Sequence, residues 1–285
     1  MAIDQERYDQ YRREINNHIE GLSYQERFAQ VRARLLDYLG KRNVDPSEAL
    51  RLKRVIRQFL TDDVAPHLNA IVEQYDDIYD VVNRHYDDLG VDISRDFERI
   101  RQIELTTRQE IGNYTEEATR VIHQATREGL IEGEGVEGLS RRIGRAGKKA
   151  SNYATTLAQT QLKTAGRVAK AEKARRAGVQ FYEYAGIVRS VTRPFCRALA
   201  GSTHHVDDIR QMRNGNREPV LYHCGGWRCV HDWEPDPFAK KKDAHRGRLR
   251  EVKEGNSRVL LIADDEAMGQ YEHAKELNRQ AARSN

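Results

Sequence analysis

Apolar residues recur at steps of three and four along most of the first 130 positions. Tyr8, Tyr11, Ile15, Ile19 and Leu22 predict a first helix that Gly21 interrupts. Ser23 and Glu26 then have the spacing of a capping box ahead of a second helix through Phe28, Val31 and Leu35, which Gly40 ends. The run DPSE, Asp45 to Glu48, sets an N-cap carboxylate, a first-turn proline and a first-turn acid before a third helix through Val55, Ile56 and Leu60. The longest pattern follows. Val64, Leu68, Ile71, Tyr75, Ile78, Val82, His85 and Leu89 alternate steps of four and three up to Gly90. Ile93, Phe97, Ile100, Thr107, Ile111, Tyr114, Ala118, Val121 and Ala125 continue the register, with Ile103 standing in at the Glu104 position. Two long helices joined near Gly90 are expected to pack as an antiparallel hairpin. His85 within the seam reads as a half-buried packing residue with one hydrogen bond, and the seam tyrosines as core residues whose hydroxyls reach its edge.

Beyond GLIEGEGVEG, a domain boundary at about residues 129–138, the texture changes. A short helix through Val136, Leu139 and Ile143 is expected to lead into a long one that closes at Gly178. VQFYEYAGIV alternates as a strand, TRPFCRALAG opens a helical turn at its proline, and PVLYHC reads as a second strand that delivers the segment LYHCGGWRCVHDW. The tail EPDPFAKKKDAHRGRLREVKEGNSR reads as a flexible or partner-ordered arm. VLLIA follows as a strand able to join a partner's sheet edge, and a last helix starts near Asp264. The fold expected is mainly α: long N-terminal helices forming a hairpin, a small α/β module with a Cys/His cluster, and an extended C-terminal arm. The corresponding domains are residues 1–134, 135–238 and 239–285.

Composition narrows the classes. With 32% charged, 38% hydrophobic and 7% aromatic residues and no apolar run near the ~20 residues that span a bilayer, no membrane role is expected. The first residues, MAIDQERYDQ, lack the basic and apolar regions of a signal peptide. Three cysteines, an odd number, argue against a secreted disulfide framework. The net charge of +4 conceals an asymmetry: residues 62–104 carry twelve acids against four arginines, and residues 141–176 carry eleven cations against one glutamate. Contact with nucleic acid is one reading of the basic run, through Lys163, Arg167, Lys170, Arg175 and Arg176. A helix lying against acidic partners or presenting a solvated face is the other; the run lacks the aromatic interleaving that stacks on bases.

Cys196, Cys224, Cys229 and His231 form a candidate four-ligand zinc set, with His204, His205 and His223 as alternatives. The spacing is not that of paired C-x-x-C knuckles, but Cys229 and His231, two apart on an extended segment, point the same way. A Cys196–Cys229 disulfide and plain packing of buried thiols beside Trp227 are the other two readings. Gly225 and Gly226 suit a sharp turn that brings Cys229 and His231 back toward Cys196. Enzymatic chemistry finds little footing. Asp207, Asp208 and Asp232 are the only nearby carboxylates for managing a zinc-bound water, and the sequence has no P-loop, H-E-x-x-H or G-x-S-x-G motif.

The succession LAQTQLKTAGRVAKAEKARRAGV, the aromatic strand ending at Gly186, TRPFCRALAG and PVLYHCGGWRCVHDW resembles the phage head morphogenesis family, the Mu F-like minor head proteins, over about residues 130–235. Members read as an acid, a threonine and cysteine, a glycine, then a histidine or glycine pair before a Cys-Arg-Cys or Cys-Arg-His ending. Thr192, Cys196, Gly201, Gly225, Gly226, Cys229 and His231 take those places here. Arg189 stands where the acid lies, and Arg228 with Val230 alters the ending, so no role of the missing acid carries over. The resemblance implies a structural virion protein, without catalytic residues, in the head near the portal vertex. It would be assembled in the host cytoplasm and act in head morphogenesis and DNA packaging or delivery. Implied partners are the portal protein, the major capsid protein, sister copies and packaged double-stranded DNA. Some relatives carry appended toxin-like domains; the roughly fifty residues after the motif are too few for one. A DNA-binding or ejected accessory protein and a zinc enzyme are the alternatives.

Overall fold

The computed structural model describes residues 5–20, 22, 24–42, 48–94, 97–190, 192–241, 244–245, 247–254 and 257–283. Gly21, Ser23 and the run Asp45, Pro46 and Ser47, read above as helix signals, lie outside them. In chain order the helices are α1 (Gln5–Ile19), α2 (Gln25–Arg42), α3 (Ala49–Asp63), α4 (Ala65–Glu73), α5 (Tyr75–His85), α6 (Glu98–Ile131), α7 (Val136–Arg176), α8 (Pro194–Leu199), α9 (Val206–Gln211), α10 (Val220–His223) and α11 (Asp265–Arg283). The strands are β1 (Phe181–Ala185), β2 (Thr203–His205), β3 (Asp232–Pro235), β4 (Arg248–Glu254) and β5 (Ser257–Ala263). The chain divides into two compact units, one of residues 16–76 and 100–162, the other of residues 1–15, 77–99 and 163–285.

The first unit is helical. Phe28, Val31 and Leu35 on α2 are buried, as are Leu52, Ile56 and Leu60 on α3, each set spaced to line one helix face. Where a single helix was expected from Val64 onward, the chain breaks twice. Pro66, which has no N–H to donate, sits in the first turn of α4, and a second break falls at Gln74. The seam survives both breaks: Leu68, Ile71 and Tyr75 are buried. Tyr75 and Thr107 share a hydroxyl hydrogen bond of 2.8 Å, and Arg57 pairs with Glu116, so α6 runs antiparallel to the preceding helices as the hairpin requires.

A second partner for α6 is α7, which is one helix of 41 residues rather than the short and long pair expected. Thr107 donates to Gln161 Oε1 at 3.0 Å and Tyr114 to the Ala150 carbonyl at 2.9 Å, a descending register that makes this pair antiparallel too. Ala146, Ala150, Ala154 and Ala158 give α7 a thin buried face that lets backbones approach closely. Toward its end α6 buries Ile122 and Thr126 where Val121 and Ala125 were expected, the drift of a 3.6-residue helix away from a strict 3.5 repeat. Among the described residues no helix is long and apolar enough to cross a membrane.

The second unit holds the sheets. Its three-stranded antiparallel sheet has the order β2-β1-β3, with Tyr184 opposite Trp233 and Phe181 opposite His205. β4 and β5 form an antiparallel hairpin. VLLIA therefore finds its edge within the chain, and the described positions from Gly247 onward are not an arm waiting for a partner: Val259, Leu261, Ala267 and Tyr271 join Phe195, Cys196, Leu199 and Trp233 in one buried cluster. Residues 236–247 before the hairpin carry no helix or strand among those described. His85 is half-buried and hydrogen-bonds Glu14 at 2.9 Å, the bland role expected of it.

Candidate metal centre

Three segments converge on one end of β1. α8, started by Pro194 in its first turn, carries Cys196 into the core. PVLYHC does not form the expected strand. Val220–His223 is a turn of helix, followed by a tight turn in which Gly226 N–H donates to the His223 carbonyl at 2.8 Å. Cys224 takes the strained position of that turn, at φ 47° and ψ −126°, and a second turn closes from Cys229 N–H to the Gly226 carbonyl with Arg228 at φ 56°. The reversal expected of the glycine pair is thus made by two consecutive turns over the seven residues from His223 to Cys229. It leaves Cys229 and His231 facing Cys196.

Gly225 has a steric reason to be glycine: a Cβ there would collide with Cys196 Sγ. Its N–H donates to Cys229 Sγ at 3.3 Å. Cys196 Sγ and Cys229 Sγ are 3.6 Å apart, and His231 Nδ1 lies 3.9 Å from Cys229 Sγ. The ligand atoms of Cys196, Cys229 and His231 all fall within 4.8 Å of one another, and the three residues are buried. The Tyr184 hydroxyl donates to Cys196 Sγ at 3.4 Å, and its ring stacks on the His231 imidazole at a centroid distance of 5.5 Å. The hydrogen bond between the thiols draws Cys229 well below the usual cysteine range, helped against burial by His231 and Arg167. The same bond, with burial, pushes Cys196 up. Two thiol sulfurs and an imidazole nitrogen are a donor set that suits a soft metal ion.

Cys224 does not belong to the group. It is buried, and burial pushes its thiol up. The alternative ligands are elsewhere as well: His204 Nε2 pairs with the Ser202 hydroxyl at 2.9 Å, His205 Nδ1 accepts from Asp207 N–H at 3.2 Å, and His223 Nδ1 lies 4.0 Å from Glu218. Asp232, considered as a carboxylate for managing a zinc-bound water, is tied to Arg167.

The candidate nucleic-acid residues separate into three groups. Arg167 and Lys170 are not on a phosphate-facing surface. Arg167 donates to Asp232 Oδ1 at 2.9 Å and to the carbonyls of Cys229 and His231 at 2.9 and 2.8 Å, and Lys170 pairs with Glu234 inside the unit. Their charges meet acids of β3 instead of phosphates. Lys163 is half-buried, and burial lowers its ammonium. Arg175 and Arg176 are exposed, each paired with Glu172. What the sequence offered and went unused is the pairing pattern itself. Arg167 and Lys170 are three apart on a helix face, while Asp232 and Glu234 are two apart on a strand face.

Residues 120–230 match the family model described as phage Mu protein F like protein. No curated protein matches the chain, and neither does any solved structure.

Proposed function

Residues 120–230 are a phage Mu F-like segment, and on that premise we propose that the protein is a structural minor head protein of a phage particle. Its place is the portal vertex, and its work is head assembly with DNA packaging or delivery. The supporting observation is the coincidence of the matched segment with the elements that build the centre: α7, β1, α8, the two turns and Cys229 all fall inside it. Portal subunits, coat subunits or sister copies are its proposed partners, with packaged DNA beside them. An asymmetric reconstruction of assembled particles tests this. Density for the chain at one vertex, lost when its reading frame is deleted, is the expected result; a chain absent from both procapsids and virions overturns it.

The Cys196, Cys229 and His231 group can hold a metal ion, and zinc is the metal we assign to it. Tetrahedral bonds of about 2.3 Å from zinc to each thiolate would set the sulfurs about 3.8 Å apart. They stand at 3.6 Å, whereas a disulfide needs about 2.05 Å. In this reading the ion ties α8 to the segment after the turns, closing a module with a small core. Metal analysis of the purified chain at one zinc per copy, lost in Cys229→Ser, is the expected outcome; a metal-free chain with three titratable thiols returns the cluster to packing.

A further inference from the structure

We infer that the pocket in front of this group is an oxyanion site whose occupant completes the metal's coordination, an inference that rests on the zinc assignment. Zinc takes four ligands, and among the described residues three side-chain donors converge here with no fourth His, Cys, Asp or Glu atom joining them. The same three residues line a pocket of about 300 Å³, so a side of the group faces open space rather than packed core. Around that space stand Arg12, Arg189, Arg193 and Arg228, with Thr192 beside them and no carboxylate in the lining. Arg189 N–H donates to Thr192 Oγ1 at 2.7 Å and Arg193 to the Trp227 carbonyl at 2.5 Å, which fixes the loop on one wall to the turn on the other.

The charge balance argues for the class of ligand. Two thiolates and a neutral imidazole bring a zinc ion to zero net charge, while four arginines and no carboxylate line the same small opening. Guanidinium forks match the paired oxygens of carboxylates and phosphates, and a zinc ion with three protein ligands takes an oxygen donor in its fourth position. His231 adds to the case for the metal rather than for the anion: its Nε2 is buried without a partner among the described residues, a ring nitrogen of the kind a bound ion can satisfy. The site is shaped for a small oxyanion, whether a free phosphate or the carboxylate of an acidic residue.

The test uses the full chain, purified under reducing conditions, with zinc replaced by cobalt so that the visible d–d bands report the coordination sphere. Metal content is measured first. One ion per chain is expected, and inorganic phosphate or acetate should shift the d–d bands saturably. Arg12→Gln with Arg189→Gln removes two cations that hold no backbone group, and should raise the half-saturating concentration by about tenfold or more while the metal content stays unchanged. A stronger response to phosphate assigns the natural ligand to a phosphate group, and a stronger response to acetate to a carboxylate; either supports the site. A cobalt spectrum indifferent to both anions, or the same response in the arginine variant, overturns the inference and leaves the zinc assignment standing. A chain that holds no metal overturns both.

Discussion

Lys170 and Glu234 form an ion pair with each side chain only 2% exposed, linking the C-terminal part of α7 to β3. The Tyr86 hydroxyl donates to the same carboxylate, and Lys170 also lies 3.4 Å from Asp232 and 4.7 Å from the centre of the Tyr11 ring. Burial pushes the Glu234 carboxyl up, with Lys170 opposing it. A pair held this deep is costly to break from one side, because the remaining charge stays buried without compensation. Lys170→Met is therefore expected to lower the unfolding free energy by about 3–5 kcal/mol. Lys170→Met with Glu234→Gln, which keeps an acceptor for Tyr86, should recover more than half of that loss. Urea unfolding of the two variants decides it; a single variant within about 1 kcal/mol of the parent would show that the pair contributes little.

Leu261 offers a test of where the C-terminal hairpin belongs. It is fully buried in β5, in the cluster that includes Phe195, Cys196 and Trp233. If the hairpin were a dispensable arm, Leu261→Ala would cost little. Within a shared core it should cost about 2–5 kcal/mol in the cooperative transition of the whole unit, the range for truncating a buried leucine.

The helical periodicity of the first 130 residues was legible because each buried face repeats locally: Leu68, Ile71 and Tyr75 appear in the seam with or without the break at Gln74. The strand at Phe181–Ala185 and the helix started by Pro194 carried strong local signals as well. PVLYHC did not, since a run of four apolar or aromatic residues fits a helical turn and a strand equally until its neighbours decide. The glycines at 138, 144 and 147 lower helix propensity, yet α7 runs through all three without a break. Of the four candidate ligands named from spacing and chemistry, Cys196, Cys229 and His231 come together and Cys224 does not. The burial of Arg167 and Lys170 was not legible, because their acids lie more than sixty residues away in sequence.

Gly225→Ala probes the centre without touching a ligand. The added methyl meets Cys196 Sγ, and the approach of Gly225 N–H to Cys229 Sγ must lengthen to relieve it. Overpacking of this kind costs about 1–3 kcal/mol. If the three donors also hold zinc, the same variant should release metal to a chelator faster than the parent, which a zinc-sensitive dye reads directly. A variant of unchanged melting temperature and unchanged metal release would mean that the turn moves freely and does not preorganise the group.

His204 predicts how the second unit responds to acid. Its ring is fully buried, with Ser202 on Nε2, the Trp233 ring at 5.6 Å and the His245 ring at 5.0 Å. Burial first, and His245 second, hold it far below the usual imidazole value, at about 3. The folded chain therefore keeps this ring neutral at pH values where the unfolded chain, with an ordinary value of about 6.5, takes up a proton. A depressed folded-state value means that the stabilisation is complete above about pH 6.5 and is lost as pH falls toward about 3, at up to about 1.4 kcal/mol per pH unit. His204→Gln removes the titrating group while keeping a polar partner for Ser202. Its urea midpoint should change less between about pH 7 and about pH 5 than the parent's. Parallel profiles would show that the acid sensitivity lies elsewhere, because this variant leaves His245 and every carboxylate in place.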